Sequence, residues 1–284
     1  MISWFLYSIA ATVLLGLSMV FYKFPAAKNV NRYGVVFWSL LLGEILSLFF
    51  FSNYLSQGDG KILAWAALWG ASFAGLSLLQ MYALHHVDTS TLFPITSTLS
   101  LIITILIGFL FFAHNVALLQ IVGILFAIVS VFLFLYKKGR LEYSRHILTV
   151  GLTIVFLSAF NKVIQKIVVD GFDIRAFQIY QYLFAMLFSL IVYFISQKSI
   201  KINQLFERRQ MTLGALIGIL GFFGAYALLI ALTKGPFALV FSIQSTYIFV
   251  VAIAGYFLFQ EKLSKRKIAA LIVAVLSILL IRLG

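Results

Sequence analysis

Residues 211–233 read MTLGALIGILGFFGAYALLIALT, a run without one charged side chain. A hydrocarbon core roughly 30 Å thick needs about 20 apolar residues of helix to cross it, and this run supplies them. Lipid offers no partner to a free backbone N–H or C=O, so a spanning segment is a helix or a strand of a closed barrel. Barrel strands alternate apolar and polar side chains, and this run does not. Working outward, comparable runs lie near 2–22, 34–55, 62–84, 89–112, 116–136, 147–168, 175–196, 236–259 and 267–283. Together they fill almost the whole chain, with connections of at most about a dozen residues. The fold expected is an all-α integral membrane protein with ten transmembrane helices.

The composition agrees. Of 284 residues, 63% are hydrophobic and 10% charged, and the mean hydropathy is +1.09; soluble domains carry about 25% charged residues. What remains outside the spans cannot hold a soluble catalytic domain. A net charge of +13 would suggest nucleic acid in a soluble protein, but here its placement decides, and no nucleic-acid partner is expected. With ten spans, the termini and the even-numbered connections share one side, which holds Lys61, Lys166, Arg175, Lys234 and Arg282. The other side holds fifteen basic residues, and Lys162 lies within a span. Lys and Arg are retained in the cytoplasm, so both termini are expected on the non-cytoplasmic side of a plasma membrane, with short loops suiting a bacterial inner membrane. The first span lacks the basic leader of a cleaved signal peptide and is too long for one.

Several chemistries drop out. The chain has no cysteine, which removes disulfides, thiolate metal sites and cysteine nucleophiles. His85, His86, His114 and His146 present no ligand spacing. There is no phosphate-cradling or nucleophile-elbow motif, so no cofactor or metal is expected and no ATP hydrolysis on this chain. An embedded enzyme would need a clustered acid, base or metal set, which is not seen.

An internal repeat divides the chain. Gly108-Phe-Leu-Phe-Phe-Ala-His114 and Gly255-Tyr-Phe-Leu-Phe-Gln-Glu261 lie 147 residues apart, and the same offset aligns Ala127 with Ala274 and Ser130 with Ser277. Tyr82-Ala-Leu84 matches Tyr226-Ala-Leu228, and Lys23 matches Lys166. The two halves are 1–141 and 142–284, of five helices each. An odd number of spans per repeat inverts one half relative to the other, about a pseudo-two-fold axis in the membrane plane.

With Pro94, Gly108, Gly255 and the Glu261-Lys-Leu-Ser264 segment ahead of a basic tenth helix, the chain resembles the ten-helix, EamA-type branch of the drug/metabolite transporter superfamily over nearly its whole length. His114 stands where that family has a glutamate in the first half, Leu15-Gly16 replaces its Trp-Gly, and its arginine early in helix two is missing. The resemblance implies a carrier of amino acids, related metabolites or drugs, usually exporting them.

Small residues come first as packing devices. Ala66, Ala67, Gly70, Ala71, Ala74 and Gly75 on helix three, and Gly214, Gly218, Gly221 and Gly224 on helix eight, let helices approach closely. Polar residues within spans are more selective, because intramembrane charge is expensive and marks function. Ser158, Asn161, Lys162 and Gln165 fall at i, i+3, i+4 and i+7 and form one stripe. Gln178, Gln181, Tyr182 and Ser189 repeat the pattern on helix seven, with Ser97, Ser100 and Thr104 on helix four and Gln244 and Ser245 on helix nine. Lys162 and Glu44 are the formal charges well inside spans. They read as an ion pair, as a substrate anchor (Lys162) beside a coupling-proton carrier (Glu44), or as snorkelling residues.

The reading that follows is a secondary transporter of small polar metabolites, working by alternating access, coupled to protons or a counter-transported solute, with a homodimer left open. Lys162 would contact a carboxylate or phosphate, with Asn161, Gln165, Gln181 and Gln244 orienting the rest. One alternative is an exporter of organic cations, held by Glu44 and the aromatic residues Trp38, Tyr22 and Tyr226. Another is a non-transporting scaffold or lipid-handling protein in which the polar stripes are only interhelical glue.

Overall fold

The computed structural model describes residues 2–28, 30–111, 117–137, 140–141, 145–196, 205–261 and 264–283. The first half comprises α1 (Ile2–Phe21), a one-turn α2 (Phe24–Ala27), α3 (Arg32–Phe51), α4 (Gly60–Ala83), α5 (Thr89–Phe111) and α6 (Leu118–Leu135). A small antiparallel pairing of Tyr136–Lys137 with Arg140–Leu141 leads to the second half. That half comprises α7 (Arg145–Gly171), α8 (Ile174–Ser196), α9 (Arg208–Lys234), α10 (Phe237–Ser245), α11 (Tyr247–Phe259) and α12 (Lys265–Leu283). Among the described residues, eight units are long and apolar enough to cross a membrane, one of them formed by α10 and α11 together. Helices α6 and α12 occupy the remaining two expected spans. His114 and the basic residues Lys138, Lys198, Lys201 and Lys262 lie outside the described residues.

The ninth span departs from the continuous helix expected. It breaks at Thr246, and the cause is local. The Ile243 carbonyl accepts from the Thr246 N–H at 3.0 Å and its hydroxyl at 2.6 Å, and from the Thr12 hydroxyl of α1 at 3.1 Å. A regular helix would give that carbonyl to the N–H four residues on, and hydroxyl side chains compete for such acceptors.

The halves are inverted. At one end of the bundle Trp4 packs on Gly235, the Lys234 ammonium sits 5.4 Å from the Tyr7 ring, and Arg175 stacks on Tyr54. At the other end the Tyr82 hydroxyl meets His146 Nε2 at 3.2 Å, Lys23 Nζ donates to Leu84 O at 2.7 Å, and Lys267 pairs with Asp88 at 2.6 Å. Helix α1 therefore begins at the first end and α7 at the second. Exchanging the halves also carries the main packings onto one another. The contact of α1 with α9 becomes that of α7 with α4, α3 with α9 becomes α8 with α4, and α1 with α10–α11 becomes α7 with α5. The pairs α3 with α8, α5 with α10–α11, and α6 with α12 map onto themselves.

Glycines make the closest of these contacts. A Cβ at Gly70 would lie 2.6 Å from Ala185 N on α8, and one at Gly218 would lie 2.5 Å from Ser39 O on α3. Lipid tails give no hydrophobic drive between helices, so close backbone approach supplies the attraction. Not every small residue serves this end: a Cβ at Gly75 would meet nothing within 4 Å, and Gly221 turns to an internal cavity. Outward faces are aliphatic and aromatic, with Phe49, Leu118 and Ile195 each more than three-quarters exposed. Such a surface would be a liability in water and suits lipid.

Glu261 ties the second end together. Its Oε1 accepts from the Thr89 N–H at 2.8 Å and hydroxyl at 2.6 Å, and its Oε2 accepts from the Ser90 N–H at 2.9 Å. The carboxylate thus caps α5, where the helix dipole favours a negative charge. Gln260 takes a left-handed conformation with φ 52°, turning the chain back. Gly255 leaves the room, since a Cβ there would fall 2.6 Å from Thr89 Oγ1 and 2.9 Å from Glu261 Oε2.

Candidate functional site

Between the halves lies a cavity of about 130 Å³, lined from α1, α3, α4 and α5 of the first half and α7 to α11 of the second. Its walls follow the pseudo-symmetry position by position. Leu15, Ser18 and Met19 on α1 and Tyr22 just past its end line it, and so do Ser158, Asn161, Lys162 and Gln165 on α7, each 143 residues further along. Ser97 and Ser100 on α5 likewise correspond to Gln244 and Tyr247 at the α10–α11 break, 147 residues on. The α7 residues have helical spacing, which puts them on a single face, and Leu15, Ser18 and Met19 share one face of α1 in the same way.

Lys162 is the charged side chain on this wall. Its Nζ donates to Ser100 Oγ at 2.9 Å and lies 5.5 Å from the centroid of the Phe241 ring. An ammonium has three donors, and among the described residues no carboxylate pairs with this one. Beside it, Asn161 Oδ1 accepts from the Ser72 hydroxyl, while Asn161 Nδ2 is buried without a partner. Gln244 Oε1 is also buried and unpaired. Unsatisfied buried polar atoms are costly, and here three polar groups with free capacity share one cavity. Tyr22 joins the wall with its hydroxyl 3.2 Å from Ser77 Oγ.

The other residues singled out from the sequence stand elsewhere. Gln181 is fully buried and donates to Gln178 Oε1 at 2.7 Å, in the packing of α8. Trp38 Nε1 donates to Leu205 O at 2.7 Å and its ring meets Phe206. Tyr226 packs on Phe51 with centroids 4.7 Å apart. Glu44 is buried on α3, one turn beyond the lining residue Leu40, with its Oε2 unpaired and no ion pair to Lys162. Trp69, Phe73, Leu76 and Gln80 also line the cavity. Their helical spacing along α4 was the available signal, overshadowed by the small residues on the same helix.

Among the described residues the arrangement offers one cation, two amide groups with unpaired atoms and aromatic walls, set between the two halves. Among the described residues there is no metal-binding cluster of His, Cys, Asp or Glu. A model of the family described as "EamA-like transporter family" matches residues 2–136 and 146–283. One solved structure, titled only "Crystal structure of protein", matches with a TM-score of 0.66 and 12% identity over 96% of each chain, a likeness of fold. No curated protein matches the sequence.

Proposed function

The chain belongs to the EamA-like transporter family, whose members carry small solutes across membranes, and from that premise we propose that it is a secondary active exporter of small anionic or zwitterionic metabolites such as amino acids and related acids. The observation that carries the substrate class is Lys162, a cation on the wall of the cavity between the halves with a single hydroxyl partner and, among the described residues, no carboxylate. A charge held in the membrane without a counterion marks a pathway. Here the substrate supplies the counterion, and Asn161, Gln165 and Gln244 orient it.

Transport proceeds by alternating access, the two inverted halves exchanging conformations around the cavity. Glu44 is the coupling group in this reading, an unpaired buried carboxyl that exchanges a proton as the halves rock. The chain sits in the plasma membrane with its termini on the non-cytoplasmic side, as the Lys and Arg distribution argues. The organic-cation alternative has less support, since Glu44, Trp38 and Tyr226 lie off the cavity wall.

The test is flux in proteoliposomes under a pH or solute gradient, using a panel of amino acids, organic acids, sugar phosphates and organic cations. Movement of an anionic or zwitterionic solute that Lys162→Ala abolishes supports the reading. Flux of cations alone, or no flux of any solute, would sink it.

A further inference from the structure

The cavity is symmetric in backbone and polarised in chemistry. Where α7 presents Ser158, Asn161, Lys162 and Gln165, the first half presents Leu15, Ser18 and Met19 on α1 and Tyr22 just past its end at the equivalent positions. The first-half wall thus has Leu15 and Met19 where α7 has Ser158 and Lys162, and Trp69, Phe73 and Phe241 add flat aromatic surface to the cavity. Among the described residues no Asp or Glu lines the cavity. Its volume of about 130 Å³ is close to that of an engineered apolar cavity of about 150 Å³ that takes up benzene.

From this polarity we propose that the substrate is an organic monoanion with an apolar body, a carboxylate on an aromatic or branched aliphatic skeleton about one ring in size, and that zwitterions of the same skeleton are discriminated against. The inference rests on the transport reading above and narrows it. The carboxylate accepts from the two free donors of Lys162 Nζ and from Asn161 Nδ2, and the body lies against Met19 and the aromatic wall. The α-ammonium of an amino acid would enter the same space with a like charge and no acid to receive it. A buried ionic group without a partner is strongly disfavoured, so the site rejects it. Glu44 does not relieve this, because it lies beyond the wall with its Oε2 buried.

Three compounds share one skeleton and differ in charge: 3-phenylpropanoate, phenylalanine and 2-phenylethylammonium. Binding is measured on the purified full-length protein from the ligand-dependent rise in melting temperature, because the neutral acid crosses lipid unaided. The expected result is that 3-phenylpropanoate binds at least tenfold more tightly than phenylalanine, with no stabilisation by 2-phenylethylammonium. Lys162→Met should remove the binding, and Lys162→Arg should restore part of it if the charge acts on the ligand. Phenylalanine binding as tightly as the acid, tighter binding of the amine, or no binding of the acid would each overturn the inference. Flux of another anion or of a zwitterion in the proteoliposome panel would then leave the transport reading standing, and absence of all flux would remove both.

Discussion

Met19 and Lys162 occupy equivalent positions on the first helices of the two inverted halves, and both line the cavity between them. One position carries a thioether and the other an ammonium, so the pseudo-dyad relates the backbones while the charge belongs to the second half alone. Replacing Lys162 by Met would put the same side chain at both of these equivalent positions. A buried ion that lacks a carboxylate partner contributes little to stability, and exchanging buried ions for apolar residues is often neutral or stabilising by about 1–4 kcal/mol. The Lys162→Met protein is expected to melt at or above the wild-type temperature without ligand. A lower melting temperature by several degrees would mean that Lys162 serves the fold instead.

Glu261 holds α5 and the end of α11 together through three hydrogen bonds to one buried carboxylate. Hydrogen bonds to a charged group contribute about 1.5–3 kcal/mol each. Glu261→Gln removes the charge and turns one acceptor into a donor facing the Ser90 N–H, with an expected loss of about 2 kcal/mol or more. It should also loosen this end of the bundle. The chain has no cysteine, so a single Gln80→Cys on the cavity wall reports access cleanly. Faster maleimide labelling of Cys at that position in the Glu261→Gln background is the outcome expected, and unchanged labelling would show that other contacts close this end.

Much of this was readable before the structure. Long uncharged runs separated by short connections located the helices, because lipid leaves the backbone few alternatives. The i, i+3, i+4, i+7 stripe on α7 found four lining residues together, since helical spacing fixes a common face. The faces of α3, α8, α9 and α10 were less legible. A surface meeting a neighbouring helix and a surface meeting a cavity both tolerate polar and small residues, so Gln181 and Gln244 looked alike in sequence although only Gln244 lines the cavity. The correspondence of α1 with α7 showed in sequence only through the match of Lys23 with Lys166, because Leu15 with Ser158 and Met19 with Lys162 are chemically dissimilar pairs. The break at Thr246 gave no glycine or proline to read and depends on Thr12 from another helix.

Asp173, in the connection between α7 and α8, accepts from Arg175 at the start of α8, with Nη2 to Oδ2 at 2.6 Å and Nε to Oδ1 at 3.0 Å. These hydrogen bonds from Arg175 hold the Asp173 carboxyl below its usual range, against the opposing effect of partial burial. The unfolded carboxyl titrates near about 3.9. The stabilisation is therefore fully present above that value and is lost as pH falls through the lower, folded value. Because the pair is partly exposed, about 1 kcal/mol or less is expected. Asp173→Asn should lower the melting temperature slightly at pH 6 and converge with wild type under strongly acidic conditions. A constant gap down to such pH would assign the effect to shape and not to charge.

Three glycines separate packing from function by the space each leaves. A Cβ at Gly218 would press on the Ser39 carbonyl of α3 at 2.5 Å, and backbone cannot yield as a side chain can. Gly218→Ala should cost about 1–3 kcal/mol by overpacking. Gly75 faces open space, so Gly75→Ala should gain up to about 1 kcal/mol from helix propensity. Gly221 is the informative case, because its Cβ would sit 3.8 Å from Ser18 Oγ and 4.0 Å from Tyr182 Oη, in ordinary contact, while the residue lines the cavity. Gly221→Ala should keep or raise the melting temperature and yet weaken binding of a ring-sized anion several-fold, since the added methyl occupies substrate space. Weaker binding accompanied by a lower melting temperature would assign Gly221 to helix packing, and unchanged binding would move the substrate away from the α9 wall.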